Sequence, residues 1–249
     1  MRVPILLMVI TLLVMTLAFI ARGESEGVEA DHVEVRLVSA ILKSRSIKQA
    51  DGSRKPYWQE CGKKLAKDEM EARAEEWVDA FLEARERTRK KYGLELPLWG
   101  TFTTMENESG FNMCTLDKES REWAYENGVV KRLQFTYSKE DVWKIVSHRS
   151  FKSSNRKADI GPMQVRFGHR KIDKDMINDW LTLVPGIENG TNEMARRAIW
   201  YKNQYKTKNN IERPWRLWPS LNPRSKVSTR YDSLISRKAR WLGAKPGEI

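Results

Sequence analysis

The chain has 249 residues and a formal net charge of +12, and 40% of its residues are hydrophobic. This composition excludes a fully disordered chain, a collagen-like fibre and a polytopic membrane protein. Two cysteines exclude a four-cysteine zinc site, and three histidines argue against a histidine-rich metal site. The sequence suggests no metal or organic cofactor.

Residues 1–23 are predicted to be a signal peptide or a membrane anchor. The stretch 3–21 carries no charge and lies between Arg2 and Arg22. As a helix it would span about 28 Å, close to the thickness of a bilayer core. An uncleaved anchor and a leader cleaved before Glu24 both remain open. Either way the rest of the chain is expected in the cell envelope: anchored in the inner membrane, periplasmic, secreted or associated with a virion.

The surplus of basic residues favours an anionic partner. Export makes an acidic cell-wall polymer a better candidate than nucleic acid, and the alternative is a basic surface without such a partner. Export also affects the two cysteines. In an oxidising compartment Cys61 and Cys114 could form a disulfide, and two unpaired thiols are the alternative.

Two segments follow the leader. Residues 24–66 are polar, with a short alternating stretch from Val33 to Leu37, and they are predicted to be a linker or a small appended element. The main domain is placed at 67–249. Its first helix is predicted from apolar residues spaced by three or four, and Gly93 is a fitting stop. This apolar face consists of Met70, Ala74, Trp77, Phe81 and Ala84.

The remaining elements are predicted to be mostly helical. Pro97 opens a second helix, and Ser138 with Asp141 resembles a capping box before a helix at 139–147. Apolar spacing predicts three more helices, near 176–181, 194–205 and 231–242. Alternation in 129–137 predicts a strand or hairpin. The fold class is therefore mainly α (α+β), with a small β-hairpin in an insertion at 112–157.

Glu108 is the residue to which the sequence assigns chemistry. The buried face of the second helix contains Leu98, Phe102 and Met105, and Glu108 is its next member. Glu106 is turned by about 200° and is expected to face away. A carboxyl aimed at an apolar interior has a raised pKa, which suits a general acid. The alternative is a glutamate in water at a frayed helix end.

Two short motifs carry a family resemblance. Residues 108–112 (Glu-Ser-Gly-Phe-Asn) resemble the Glu-Ser-x-Phe-Asn motif of the lytic transglycosylases with the lysozyme-like fold. Residues 159–165 (Asp-Ile-Gly-Pro-Met-Gln-Val) are similar to the family's Gly-Leu-Met-Gln-Ile motif. A third motif fits at 186–194, with Gly186 in place of the family's asparagine. The resemblance covers roughly residues 70–245.

The resemblance implies a lysozyme-like helical domain that cleaves the bond between N-acetylmuramic acid and N-acetylglucosamine in peptidoglycan. Glu108 would be the catalytic acid and base, and Ser109 would form a hydrogen bond near it. Met163 and Gln164 would line the sugar groove, and the backbone around Gly161 would position the substrate. The product would carry a 1,6-anhydro sugar, and the reaction would consume no water.

In the family a tyrosine also approaches the glutamate. The closest equivalent here, Leu221 with Asn222, contains no tyrosine, and Tyr231 is the other candidate. The expected partners are peptidoglycan glycan strands, a secretion apparatus or phage particle, and the membrane through the N-terminal segment.

Three other functions remain open. If Asp117 or Asp159 lay across the groove, the protein would be a hydrolytic lysozyme, because most glycosidases use two carboxylates. A wall-binding structural component of a secretion or virion machine would keep the fold without the activity. A nucleic-acid-binding module has only the net charge in its favour.

Overall fold

The computed structural model describes residues 32–153, 158–167, 173–207 and 211–249, so the predicted leader at 1–23 lies outside the described residues. The described part is mainly helical, which confirms the predicted class at that level. Its helices are α1 (32–44), α2 (Glu69–Tyr92), α3 (Leu98–Ser109), α4 (Lys118–Glu126), α5 (Lys139–Ser147), α6 (Arg149–Ser153), α7 (Lys174–Trp180), α8 (Leu183–Tyr205) and α9 (Lys226–Leu242). A 3-10 helix spans Pro214–Leu217.

The described strands form two-stranded antiparallel hairpins. These are β1 (Ser46–Lys48) with β2 (Arg54–Pro56), β3 (Gln59–Glu60) with β4 (Lys63–Lys64), and β5 (Ala158–Ile160) with β6 (Val165–Phe167). The β5–β6 hairpin pairs Asp159 with Arg166 and Ile160 with Val165. Its turn contains the second motif, so the hairpin holds that motif in one backbone conformation.

The larger core forms around α2 and α3. The apolar faces predicted for both helices are buried except at Leu98, which is half-buried, and the rings of Phe81 and Phe102 meet edge to face at 5.3 Å between centroids. Gly93 ends α2 with φ 62°, a left-handed conformation that glycine adopts without steric cost. Helices α8 and α9 complete this core, with α8 packed on α2 and α9 packed on α3.

Residues 32–66 contain more structure than a linker. Leu37, Ala40 and Ile41 of α1 are fully buried in the larger core. Their spacing of three and four is helical, whereas the alternation at Val33 and Val35 has no partner strand to pair with. Trp58, after β2, donates a hydrogen bond from Nε1 to the Phe111 carbonyl at 3.0 Å. The described part of this segment therefore belongs to the packed domain.

A second, smaller buried cluster forms in the insertion between the first two motifs. Helices α4, α5 and α6 pack around it, and Trp123 meets Phe151 at 4.8 Å between ring centroids. Ser138 is the N-cap of α5, as predicted, because its hydroxyl accepts a hydrogen bond from the Asp141 amide at 3.0 Å; the Asp141 carboxylate accepts from Lys144 rather than completing a capping box. The insertion is thus a packed subdomain beside the larger core.

The strand predicted at 129–137 is wrong. The described segment contains only an isolated bridge from Thr136 to Thr115, and Leu133 and Phe135 are 52% and 53% exposed. Val130, Thr136 and Tyr137 are buried there, and the Tyr137 hydroxyl accepts a hydrogen bond from the Gln134 amide at 3.1 Å. The alternation fails because, among the described residues, no second strand pairs with Leu133 and Phe135. The β-hairpin of this region is β5–β6 instead, which follows the insertion.

A disulfide joins Cys61 to Cys114, with 4.8 Å between their Cα atoms. Cys61 lies in the turn between β3 and β4, and Cys114 follows α3 by five residues. The bond therefore connects the N-terminal hairpins to the segment that follows α3. None of the described helices has both the length and the apolar character needed to cross a bilayer.

Candidate active site

A cleft of about 580 Å³ opens where the β5–β6 hairpin, α8 and α9 meet the end of α3. Its walls are rich in charged and aromatic side chains rather than uniformly apolar. The lining residues are Glu108, Asp159, Gln164, Val165, Arg166, Glu193, Arg197, Trp218, Pro219, Ser220, Leu221 and Tyr231. The first and second motifs, more than fifty residues apart in sequence, therefore contribute to one cavity.

Glu108 lies in this cleft near the C-terminal end of α3. Met105 and Phe102, on the same helix face, are fully buried, so the face passes from the core into the cleft at Glu108. The helix ends at Gly110, which adopts φ 59° and donates its amide to the Glu106 carbonyl. The position of Glu108 thus follows from the spacing of the apolar residues before it.

Burial raises the pKa of Glu108 above its usual value, and the negative charge of Asp159 acts in the same direction. Hydrogen bonds from Tyr231, Asn107 and Trp218 lower it in part, because donors stabilise the ionised form. The net result is a raised pKa. The Glu108 carboxyl therefore holds its proton at a higher pH than a solvated glutamate does.

Tyr231 is the nearest partner of Glu108. It lies on α9 and donates its hydroxyl proton to Glu108 Oε1. Burial and the charge of Glu108 raise the pKa of Tyr231 well above its usual value, so this hydroxyl stays protonated and remains a donor. Tyr231, one of the two candidate equivalents of the family's tyrosine, contacts the glutamate. The other position, Leu221, contributes an apolar side chain to the cleft wall.

We expect Tyr231→Phe to lower the rate of a reaction that uses Glu108 as a general acid about tenfold, because one charge-assisted hydrogen bond to Glu108 is lost. The same bond lowers the pKa of Glu108, so its removal raises that pKa and moves the alkaline limb of the pH–rate profile upward. The measurement is turnover against pH. Tyr125→Phe, at an exposed tyrosine on α4, is the control and should reproduce the native profile. A lower rate with an unshifted limb would contradict this role of Tyr231.

The second motif reaches the cleft through Gln164. Its side-chain amide donates to the Thr115 carbonyl at 2.9 Å and to the Gly161 carbonyl at 3.2 Å. Gly161 adopts φ 80°, and a Cβ there would lie 2.8 Å from the Trp180 carbonyl oxygen. Gly161 thus shapes the turn from behind and does not line the cleft.

The resemblance predicts that Met163 lines the sugar groove, but Met163 is not among the residues that line the cleft. It is fully buried against Gly190 of α8, where an added Cβ would lie 2.3 Å from the Met163 Cβ. A Cβ at Gly186 would likewise lie 2.5 Å from the Trp180 carbonyl oxygen. The third motif therefore supplies glycines that let α8 approach the hairpin closely, and Met163 packs the hairpin onto that helix.

Ser109 also differs from the expectation. It is fully buried, and its hydroxyl donates to the Met105 carbonyl at 3.1 Å and accepts from the Asn112 amide at 3.4 Å. These bonds hold the chain as it leaves α3. Ser109 supports the end of the helix rather than contacting the Glu108 carboxyl, because it points into the protein.

The two candidate second carboxylates differ in position. Asp159 lines the cleft, where both of its oxygens accept hydrogen bonds from Arg166 at 2.8 and 3.0 Å. Asp117 instead caps α4 by accepting from the Ser120 amide at 2.8 Å, and it also accepts from the Asp159 amide at 2.9 Å. Of these two aspartates, Asp159 is the one that lines the cleft.

Glu106 faces away from the cleft, as the helical rotation predicts, but it is not in water. It is 5% exposed, forms an ion pair with Lys238 of α9 and accepts from Ser44 Oγ of α1 at 2.6 Å. Lys238 also reaches Asn107 Oδ1 at 3.5 Å, and Asn107 Nδ2 lies 3.4 Å from Glu108 Oε1. Helix α9 thus holds both sides of the α3 end that carries Glu108.

Sequence reasoning missed several cleft residues. Glu193 and Arg197 form an i,i+4 ion pair on α8, a spacing that could have marked a polar face. The Arg197 guanidinium lies 5.1 Å from the ring centroid of Trp218, which lines the cleft. Trp215, three residues before Trp218, is fully buried in the core against Gly100.

Within the described residues no group of three or more His, Cys, Asp and Glu side chains could hold a metal ion. Comparison with protein-family models, curated proteins and solved structures gives no match for this chain.

Proposed function

We propose that this protein cleaves peptidoglycan glycan strands between N-acetylmuramic acid and N-acetylglucosamine as a lytic transglycosylase. The observation that carries the proposal is the position of Glu108: a partly buried carboxyl with a raised pKa, held by Tyr231 in a cleft. The resemblance of residues 108–112 and 159–165 to the family motifs supports it. A lysozyme-like arrangement of the helices belongs to the same proposal.

The reaction needs one group that gives and then takes a proton. Protonated Glu108 donates its proton to the glycosidic oxygen, and the bond from that oxygen to the muramyl anomeric carbon breaks. The resulting carboxylate then accepts the proton of the muramyl C6 hydroxyl, whose oxygen bonds to the anomeric carbon. The 1,6-anhydro ring closes, Glu108 is protonated again, and no water is consumed.

The cleft residues suit a sugar polymer. Trp218 offers an aromatic face, and its neighbour Arg197 is already held by Glu193 and by the Leu217 carbonyl at 3.0 Å. Gln164 lines the same cleft as Glu108, with its side-chain amide held by the Thr115 and Gly161 carbonyls. Polar groups in fixed positions around an apolar face are typical of sites that orient a ligand with many hydroxyl groups.

Hydrolysis is the second candidate function, and Asp159 is the observation in its favour. As a second carboxylate in the same cleft it could activate a water molecule. However, Arg166 donates hydrogen bonds to both Asp159 oxygens, so a water molecule would have to displace one of these bonds before Asp159 could accept its proton. This ion pair favours transglycosylation over hydrolysis.

The decisive experiment is mass spectrometry of the products released from purified peptidoglycan. Transglycosylation gives muropeptides that are lighter by one water than those of a hydrolytic lysozyme. Products with full-size reducing ends would assign the protein as a hydrolase. Binding to peptidoglycan without any product would favour a wall-binding structural component.

The variant Asp159→Asn is an independent test that distinguishes transglycosylation from hydrolysis. If Glu108 acts alone, the variant keeps a large part of the activity and still forms anhydro products. A hydrolase that depends on Asp159 would lose activity by about a thousandfold, as expected when a general base is removed.

A further inference from the structure

Three aromatic side chains cluster at the C-terminal end of α8. Trp200 and Tyr205 are 41% and 53% exposed, although rings of this size are usually buried. The Tyr201 and Tyr205 centroids are 4.7 Å apart, and Trp200 meets Tyr205 edge-on at 6.4 Å. We call Trp200, Tyr201 and Tyr205 the α8 aromatic cluster. These contacts hold the rings at the surface in one arrangement.

The cluster continues the line of the cleft. Glu193 and Arg197 line the cleft from α8, and Tyr201 and Tyr205 follow Arg197 by one and two further steps of four residues. At the helical rise these steps lie about 6 and 12 Å beyond Arg197. Trp218 already presents an aromatic face beside Arg197 inside the cleft. Aromatic surface is therefore available on both sides of Arg197.

We propose that the α8 aromatic cluster is a distal glycan subsite, which binds sugar rings of the same strand outside the catalytic cleft. The inference rests on the proposed function. The apolar faces of sugar rings stack on aromatic rings, and the Tyr hydroxyls and Trp N–H can bond to the sugar hydroxyls at the rim. Continuity with the cleft favours a glycan strand over a lipid surface, because the strand has to leave the cleft along one of its walls.

The test compares strands of two lengths. Peptide-free glycan strands are fractionated into tetrasaccharides and long strands, and their binding to the full chain carrying Glu108→Gln is measured by calorimetry. In that background we expect Trp200→Ala and Tyr205→Ala each to weaken long-strand binding about three- to tenfold. Tetrasaccharide binding stays unchanged, because those strands fill the cleft alone. Tyr125→Ala, which removes an exposed tyrosine from α4, is the matched control.

The variant Tyr205→Trp tests whether binding depends on an aromatic ring at this position. It should keep the affinity for long strands. Equal affinities of the alanine variants and their parent for long strands would overturn the subsite. So would a loss for tetrasaccharides as large as that for long strands. If Tyr205→Ala weakened binding only to phosphatidylglycerol vesicles, the cluster would be a membrane contact instead. If the parent bound neither strand, the proposed function itself would be contradicted.

Discussion

We expect Glu108→Gln to slow peptidoglycan cleavage about a thousandfold, because the amide can neither donate nor accept the proton that the reaction moves. Gln has nearly the shape of protonated Glu and can still accept the hydrogen bond from Tyr231. The fold and the affinity for glycan should therefore persist. The measurement is the rate of muropeptide release, together with glycan binding and the thermal unfolding midpoint.

A matched Glu→Gln substitution outside the cleft controls for this experiment. Glu75 is exposed on α2 and does not line the cleft, so Glu75→Gln should release muropeptides at the native rate. Native turnover in Glu108→Gln would remove Glu108 from the mechanism. A loss of activity accompanied by a collapsed unfolding midpoint would point to stability instead of chemistry.

Removal of the disulfide should have the largest effect on stability. Cys61 and Cys114 are 53 positions apart, and opening a loop of that length restores chain entropy to the unfolded state. We expect the double variant Cys61→Ala and Cys114→Ala to lose about 4 kcal/mol of unfolding free energy. Urea unfolding, followed by tryptophan fluorescence, measures the change.

Hydrogen bonds of Asn112 hold the chain near Cys114 independently of the disulfide. Asn112, two residues before Cys114, donates to the Gln59 carbonyl at 2.9 Å and accepts from the Cys114 amide at 2.9 Å. These bonds keep the two segments together in the folded state, so most of the effect arises in the unfolded chain. Reductant should destabilise the native protein similarly and leave the double variant unaffected. An unchanged urea midpoint in the variant would contradict a structural role for the bond.

Several elements could be predicted from the sequence because their signals are local. Met70, Ala74 and Trp77 lie on one helical face, and Gly93 supplies the left-handed stop that ends α2. The same periodicity places Glu108 in line with Met105. These predictions hold because helix formation and capping depend on residues within a few positions of one another.

Predictions that required a distant partner failed or could not be made. Leu133 and Phe135 alternate like a strand but are exposed, because pairing depends on a second segment across from them. Met163 sits in the core because Gly190 on α8 leaves room for it, and sequence separation hides that contact. The segment 32–44 could be recognised as part of the core only when its packing on other helices was seen.

The sequence by itself determined that the main domain is helical, where α2 ends, and that one carboxyl follows a buried stripe; the helices predicted near 194–205 and 231–242 begin earlier than expected, at Leu183 and Lys226. All of these depend on the backbone's own period and on short-range burial. Only the tertiary structure decided which side chains meet that carboxyl. Tyr231 lies 123 positions after Glu108, and Asp159 and Gln164 arrive on a separate hairpin. The pKa of Glu108 depends on exclusion of water and on distant residues such as Tyr231 and Asp159, and both influences arise only when the chain packs.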